Sequence, residues 1–472
     1  MMFKNYYQRY FRILLKQYPV IKNLPTQSGV AKLARRTKEE SGNLIISCKR
    51  SDYNHYSNQK YNHLDEIVLA SKGWTHYKSK GDYFIVNPNP TPPNIEKVSL
   101  NEVDINHNIT NCLFDQNIHE LTAFQNEAIN KILQGKNCVI AAETGCGKTL
   151  AYLLPMVHKL MENKTKALNT PKALILVPNR ELAHQIGSVA QVLTEKVGLK
   201  SKVITGGRTK KIMLNPDFSD IDILIGTPGA IGKLTAVGVY RLNNVEMAVL
   251  DEADTLVDDS FEERLTRIIK RLSQSQMILV SATLPTNLPA ILEPYNDRLV
   301  KVTSPLLHKP LNHITQRFLR LSRSIKPQQL LQIVKKRSDS LLVFTNRNET
   351  CYWLAHFLKE NGLKCSRVNG SMNYADRIEE WNKGLDTINV QHLVNYDFPL
   401  YMADYLHRVG RTGRFGTFGV VTNFVAGEEE VKLVQRIERA IRKNEPVPNV
   451  EGNITKIVQK KILRNMGEND LM

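Results

Sequence analysis

The chain has 472 residues, enough for two to four domains at roughly 100–200 residues each. Apolar residues make up 42% and charged residues 23%, the balance of a globular protein with cores to bury. No apolar run nears the roughly 20 residues of a membrane helix; the longest, such as Leu150 to Val157, exclude a membrane span. Lys and Arg number 64 against 46 Asp and Glu, a net charge of +18 that favours polyanions: nucleic acid, nucleotide or an anionic membrane surface. A basic surface kept for solubility, or a basic targeting peptide, is the plainer source of that excess. The six cysteines (Cys48, Cys112, Cys138, Cys146, Cys351 and Cys365) form no CxxC pair. That excludes a zinc ribbon, argues against a disulfide framework and points to a reducing compartment.

Residues 1–38 contain no Asp or Glu but carry Lys4, Arg9, Arg12, Lys16, Lys22, Lys32, Arg35, Arg36 and Lys38 among Phe3, Tyr6, Tyr10, Phe11 and Leu14. Wound as a helix this is a basic amphipathic segment, as mitochondrial transit peptides are, and the matrix is the favoured location. A basic arm touching RNA directly, in a nuclear or cytoplasmic protein, is the other reading. Residues 39–97 read as a polar extension rich in Asn, Tyr, Ser and Lys, closed by the boundary cluster Asn87-Pro88-Asn89-Pro90-Thr91-Pro92-Pro93.

The centre alternates short apolar runs with amphipathic stretches. The runs are Cys138–Ile140, Ala173–Val177, Ile223–Ile225, Met247–Leu250 and Met277–Val280; Leu182–Lys196 and Phe261–Leu272 are of helical length. The pattern predicts an α/β fold with parallel sheets covered by helices, whose ligands bind beyond the carboxyl ends of the strands. After the first run comes Ala142-Glu143-Thr144-Gly145-Cys146-Gly147-Lys148-Thr149, a phosphate-binding loop with Ala142 in place of the usual first glycine. Gly145 and Gly147 let backbone N–H groups curl around phosphates, Lys148 suits the β/γ-phosphates, and the Thr149 hydroxyl suits Mg²⁺. A lone GxGK is often only a strand–helix turn, but the strand before it and the Lys-Thr after it argue against that. After Met247–Leu250 comes Asp251-Glu252-Ala253-Asp254. A carboxylate leaving a buried strand suits Mg²⁺, and a second acid beside it suits a base acting on water. Most acidic tetrads are solvated turns; this one follows a phosphate loop by about a hundred residues at a strand end.

The ordered set resembles a DEAD-box RNA helicase. It includes Pro178-Asn179-Arg180-Glu181-Leu182-Ala183, Gly206-Gly207, Thr227-Pro228-Gly229, Ser281-Ala282-Thr283 and His407-Arg408-Val409-Gly410-Arg411-Thr412-Gly413-Arg414. Asp254–Phe261 and Asn395–Leu400 are similar to the mitochondrial branch of that family linked to ribosome assembly. The resemblance implies two tandem RecA-like domains: an ATP-binding domain at 98–304, a linker at 305–310 and a helicase C-terminal domain at 311–430, with a basic tail at 431–472. It implies ATP and Mg²⁺ as cofactors. Gln125 would read the adenine edge, residues 142–149 would hold the phosphates, and Asp386 would approach the ribose. Thr149 and Asp251 would hold the metal. Glu252 would activate water, Ser281 and Thr283 would couple nucleotide to RNA, and Arg411 and Arg414 would act as arginine fingers. Arg180, Gly207, Thr227 and Gly229, with Arg347 and Arg377, would grip RNA phosphates. Such grips carry no base specificity.

Four departures qualify the resemblance. Leu100 stands where the family stacks an aromatic on the base, Leu121 replaces a proline, and Tyr374 replaces a glutamine before Arg377. The larger departure is a gap: Lys383 runs straight into Gly384, and by motif spacing about 17 residues are absent. They would hold a strand and the Thr, Asp and Arg of a TDxxxRGxD box. The second domain is therefore expected to lack a strand, through a skipped exon, a gene-model error or a natural short isoform. The tail carries Lys432, Arg436, Arg439, Arg442, Lys443, Lys456, Lys460, Lys461 and Arg464, read as a solvated helix or an auxiliary RNA-binding tail.

The resemblance thus implies a monomeric ATP hydrolase acting on structured RNA, with ribosomal RNA as its substrate and assembly proteins as partners. The alternative is an ATP- and RNA-binding scaffold whose catalysis is impaired by the gap.

Overall fold

The computed structural model describes residues 43–450, apart from 58, 60, 62–66, 89–94, 163–166, 208, 258, 273, 285–289, 297, 310–312, 337–339, 374–375, 378, 381–389, 414–416 and 449. These form two compact units, one of residues 94–307 and one joining the chain up to 93 with 308–449. Strands β1 (Leu44–Cys48), β2 (His55–Tyr56) and β3 (Tyr83–Val86) come first in the chain but belong to the second unit.

The unit 94–307 opens with a small antiparallel ribbon of β4 (Lys97–Ser99) and β5 (Glu120–Thr122). Its main sheet holds β6 (Asn137–Ala141), β7 (Ala173–Leu176), β8 (Ser201–Ile204), β9 (Ile223–Gly226), β10 (Met247–Asp251), β11 (Gln276–Ser281) and β12 (Leu299–Thr303). The order is β12-β6-β11-β10-β7-β9-β8, and every neighbouring pair is parallel. Strands β7, β9 and β10 are buried at every position, as a parallel sheet covered on both faces requires. Alternation sorts their side chains. Met247 and Val249 of β10 face the helices Ala123–Leu133, Lys148–Glu162 and Arg180–Val197, while Ala248 and Leu250 face Pro228–Ala236 and Asp259–Ile269. Because all the strands run one way, every loop that carries a motif leaves the same edge of the sheet.

The second unit contains β13 (Ile314–Arg320), β14 (Leu341–Phe344), β15 (His392–Asn395) and β16 (Gly419–Val425). These pair in parallel in the order β14-β15-β16-β13, and the sheet then continues antiparallel through β3, β1 and β2. This sheet is therefore mixed, and residues 44–86 are part of a domain where the sequence read a polar extension. Phe84 of β3 stacks on Phe318 of β13 at 4.6 Å, and the buried Trp74 packs on Phe84 at 5.5 Å. The strands escape a sequence reading because they are two to five residues long and are separated by long polar loops.

β14 ends the strand order, and its Leu-Leu-Val-Phe is only half-buried throughout, whereas the matching β7 is fully buried between two neighbours. Residues 363–369 carry no strand. The expected loss of a strand falls at the junction of Lys383 and Gly384, which lies outside the described residues. The helix Glu428–Lys443 corrects the tail reading: Val431, Val434, Ile437 and Ala440 face the core, and Arg442 is buried against Glu438 at 2.8 Å. The rest of the basic tail, 451–472, lies outside the described residues, as does the segment 1–38.

Candidate nucleotide and RNA site

The phosphate loop leaves β6 and enters the helix Lys148–Glu162. Gly145 and Gly147 adopt φ of 87° and 83°, the left-handed region that a side chain resists. Gly147 is doubly constrained, because a Cβ there would lie 2.3 Å from Gln125 Nε2. The Lys148 ammonium donates to the carbonyls of Ala142 at 2.7 Å and Glu143 at 2.8 Å, which holds it inside the loop. The loop's backbone N–H groups, the helix N-terminus and this ammonium together form an anion cradle.

Gln125 sits in a capping box with Thr122. Its Oε1 accepts from the Thr122 N–H at 2.8 Å and from the Thr122 hydroxyl at 3.2 Å, while Nε2 donates to the Gly147 carbonyl at 3.1 Å. One N–H of the amide is left for a ring acceptor of a base. Leu100 and Leu121 are buried in the core, so the position that stacks an aromatic in the family contributes packing here.

Asp251 ends β10 and is buried. The Tyr152 hydroxyl donates to its Oδ2 at 2.9 Å, and the Glu252 N–H donates to Oδ1 at 2.9 Å. Burial, with the charge of Glu252 beside it, still pushes the Asp251 carboxyl up to about 6. Glu252 has φ 53° and ψ 48°, a left-handed conformation uncommon outside glycine, of the kind that gathers at functional turns. Asp254 accepts from the Thr283 hydroxyl at 2.8 Å and its N–H at 3.2 Å, and Ser281 Oγ accepts from the same N–H at 3.1 Å. The acidic turn and the Ser-Ala-Thr turn thus form one buried network.

The donors fit Mg²⁺. Thr149 and Asp251 offer hard oxygens, and a carboxylate that burial and Glu252 both disfavour is stabilised by a cation. Among the described residues no group of three or more His, Cys, Asp or Glu is placed to hold a metal alone.

Arg180 opens the helix after β7, capped by Asn179, whose side chain accepts from the Leu182 N–H at 2.8 Å. Its guanidinium lies over the glycine pair: a Cβ on Gly206 would approach it to 2.8 Å and one on Gly207 to 3.4 Å. Thr227 caps the helix Pro228–Ala236, and Gly229 lies open beside Arg264, a cation the sequence did not single out.

In the second unit Arg347 is exposed before the helix Asn348–Glu360, and Arg377 is half-buried. Arg408 is the brace that the sequence missed. It donates to Asn346 Oδ1 at 2.8 Å and to the Asp397 carbonyl at 3.0 Å, over the Phe344 ring. Asp397 in turn accepts from the Asn346 N–H at 3.1 Å and pairs with the buried Lys326 at 3.4 Å. Arg411 follows on this framework, its N–H donating to the Arg408 carbonyl at 3.0 Å. Arg414, Asp386 and Tyr374 lie outside the described residues. Among the described residues no helix is long and apolar enough to cross a membrane.

Residues 122–291 match the DEAD/DEAH box helicase family, and residues 381–416 match the helicase conserved C-terminal domain. The chain is 31% identical to "Probable ATP-dependent RNA helicase DDX28" of Mus musculus, over 91% of this chain and 89% of that one. Its fold is similar to that of S. cerevisiae Dbp5 bound to RNA and ADP BeF3, with a TM-score of 0.62 at 23% identity over 73% of this chain and 94% of the other. It is likewise similar to Mss116p bound to ssRNA and AMP-PNP, with a TM-score of 0.63 at 22% identity over 76% and 80%. With a phosphate loop, an acidic turn and an Arg box in order on two RecA-like units, the chain belongs to the DEAD-box ATP-dependent RNA helicases.

Proposed function

We propose that this helicase couples Mg²⁺-dependent ATP hydrolysis to local unwinding of structured RNA in the mitochondrial matrix, on ribosomal RNA during subunit assembly. The observation that carries the chemical part is the left-handed Glu252 beside the buried Asp251, at the strand edge shared with Lys148. Lys148 and the loop 142–149 bind the phosphates, and Gln125 reads the base. Thr149 and Asp251 hold Mg²⁺, which when bound offsets phosphate charge. Glu252 orients and deprotonates the attacking water. Arg411 and Arg414 supply charge to the transferring phosphoryl group, a contribution of roughly 10³–10⁵ in rate for such residues. Arg180, Gly207, Thr227 and Gly229, with Arg347 and Arg377, hold RNA phosphates, and Asp386 serves the ribose side. The acid-free basic segment 1–38 supports the matrix.

Glu252→Gln tests the chemistry: RNA-stimulated hydrolysis is expected to disappear while ATP binding persists, and unaffected hydrolysis refutes the role. A reporter fused to residues 1–38 that stays outside mitochondria refutes the location.

The half-buried β14 favours a second reading, a clamp that binds ATP and RNA without unwinding. Strand separation by the 472-residue chain itself decides against it.

A further inference from the structure

Residues 44–86 do more than extend a sheet. They enclose an open cavity of about 410 Å³. Among the described residues its wall includes Lys49, Arg50, Lys72, His76 and Lys78 against the single carboxylate of Asp82. Lys49 pairs with Asp82 at 3.0 Å, and among the described lining residues four Lys and Arg side chains face that one carboxylate.

The cavity is held rigidly. The buried Glu438 accepts from the Ala70 N–H at 2.8 Å, the Ser71 N–H at 3.1 Å and the Ser71 hydroxyl at 2.6 Å. The buried Arg320 donates from Nε to the Trp74 carbonyl at 2.8 Å, and Arg442 donates to the Tyr53 carbonyl at 2.7 Å. A flexible basic loop would spread its charges into solvent. Here Glu438, Arg320 and Arg442 hold the backbone at Ala70, Ser71, Trp74 and Tyr53, close in the chain to the basic residues, and a polyanion would relieve the mutual repulsion of the cations.

We propose that this cavity is an RNA-binding site, taking the sugar–phosphate backbone of a single strand outside the segment gripped by the helicase motifs. This rests on the reading of the chain as an RNA-directed enzyme. An aromatic between two lining residues favours RNA over an acidic protein surface: Tyr77, flanked in the chain by His76 and Lys78 of the wall, is 67% exposed, packs on the His76 ring at 4.6 Å and would offer its other face to a base.

The test uses the full chain and a fluorescent single-stranded RNA of about 20 nucleotides, longer than one such groove covers, with binding read by anisotropy across a salt series. The triple variant Arg50→Glu, Lys72→Glu, Lys78→Glu is expected to weaken binding about tenfold or more. It should also flatten the slope of log K against log salt by about 2, since each phosphate contact on a single strand contributes roughly 0.7. Tyr77→Ala, which leaves every charge in place, is expected to weaken binding about 5- to 100-fold with the slope kept. Wild-type affinity and slope in both variants would overturn the proposal, and capture of an acidic protein by the cavity alongside that result would reassign it. Direct binding keeps the two readings apart: absent RNA-stimulated hydrolysis in the wild type counts against the enzymatic reading, while the salt slope still reports on the cavity.

Discussion

Tyr152 carries its hydroxyl to a place where a phenylalanine would fill the same space. The hydroxyl donates to a carboxylate that burial and a neighbouring acid both push towards protonation. Tyr152→Phe is therefore expected to cost about 1–3 kcal/mol of stability, because a buried acceptor loses its donor. The Mg²⁺ concentration for half-maximal hydrolysis should rise with it; a melting curve and a Mg²⁺ titration check both. Lys148, Asp251 and Glu252 stood out as candidates in the sequence because phosphate and metal chemistry favour their types at that spacing, whereas Arg180 came only with the family resemblance. Tyr152 was not, since a tyrosine one turn into a buried helix reads as core. Arg408 was quoted within its box yet assigned no work, because its bracing of Asn346 and Asp397 exists only once two distant loops meet.

At the scale of elements, the N-terminal strands are tied to the helix Glu428–Lys443 by the buried Glu438–Arg442 pair. Arg442→Ala leaves Glu438 buried without its cation, which is expected to cost about 3–5 kcal/mol in denaturant unfolding. His55 gives this clasp a pH dependence. Burial, with Arg442 nearby, holds its imidazole down at about 4 against about 6.5 in an unfolded chain. Between those values the unfolded chain binds the extra proton, so stability rises with pH through the window and is complete above about 6.5. Up to about 3 kcal/mol is lost on acidification to about pH 4, and His55→Phe should flatten that part of the stability curve. Five of the seven parallel strands in the sheet of residues 94–307 (β6, β7, β9, β10 and β11) were legible as continuous apolar runs. The strands of residues 44–86 were not, because β3, through which they join the sheet, pairs with β13 more than two hundred residues away in the sequence.

For the whole molecule, β14 is half-buried, and Tyr352 and Trp353 are exposed nearby in the chain. Inserting the segment of about 17 residues that family spacing calls for between Lys383 and Gly384 is expected to raise the melting temperature and the RNA-stimulated ATPase. No change in either would mean that the domain tolerates the loss. The two-domain plan was readable from motif order; that β1, β2 and β3 share a sheet with β13 to β16 was not, since local sequence says nothing about distant pairing. That arrangement bears on synthesis. Ser71 and the Glu438 that anchors it are 367 positions apart, and at roughly 5–20 residues per second a ribosome needs about 20–70 s to travel from one to the other. Through that interval the opening strands are out of the tunnel with their apolar face unpaired, while the entire ATP-binding domain is made and folds between them and their partners. The birth of this enzyme thus includes a waiting period in which a chaperone has something specific to hold.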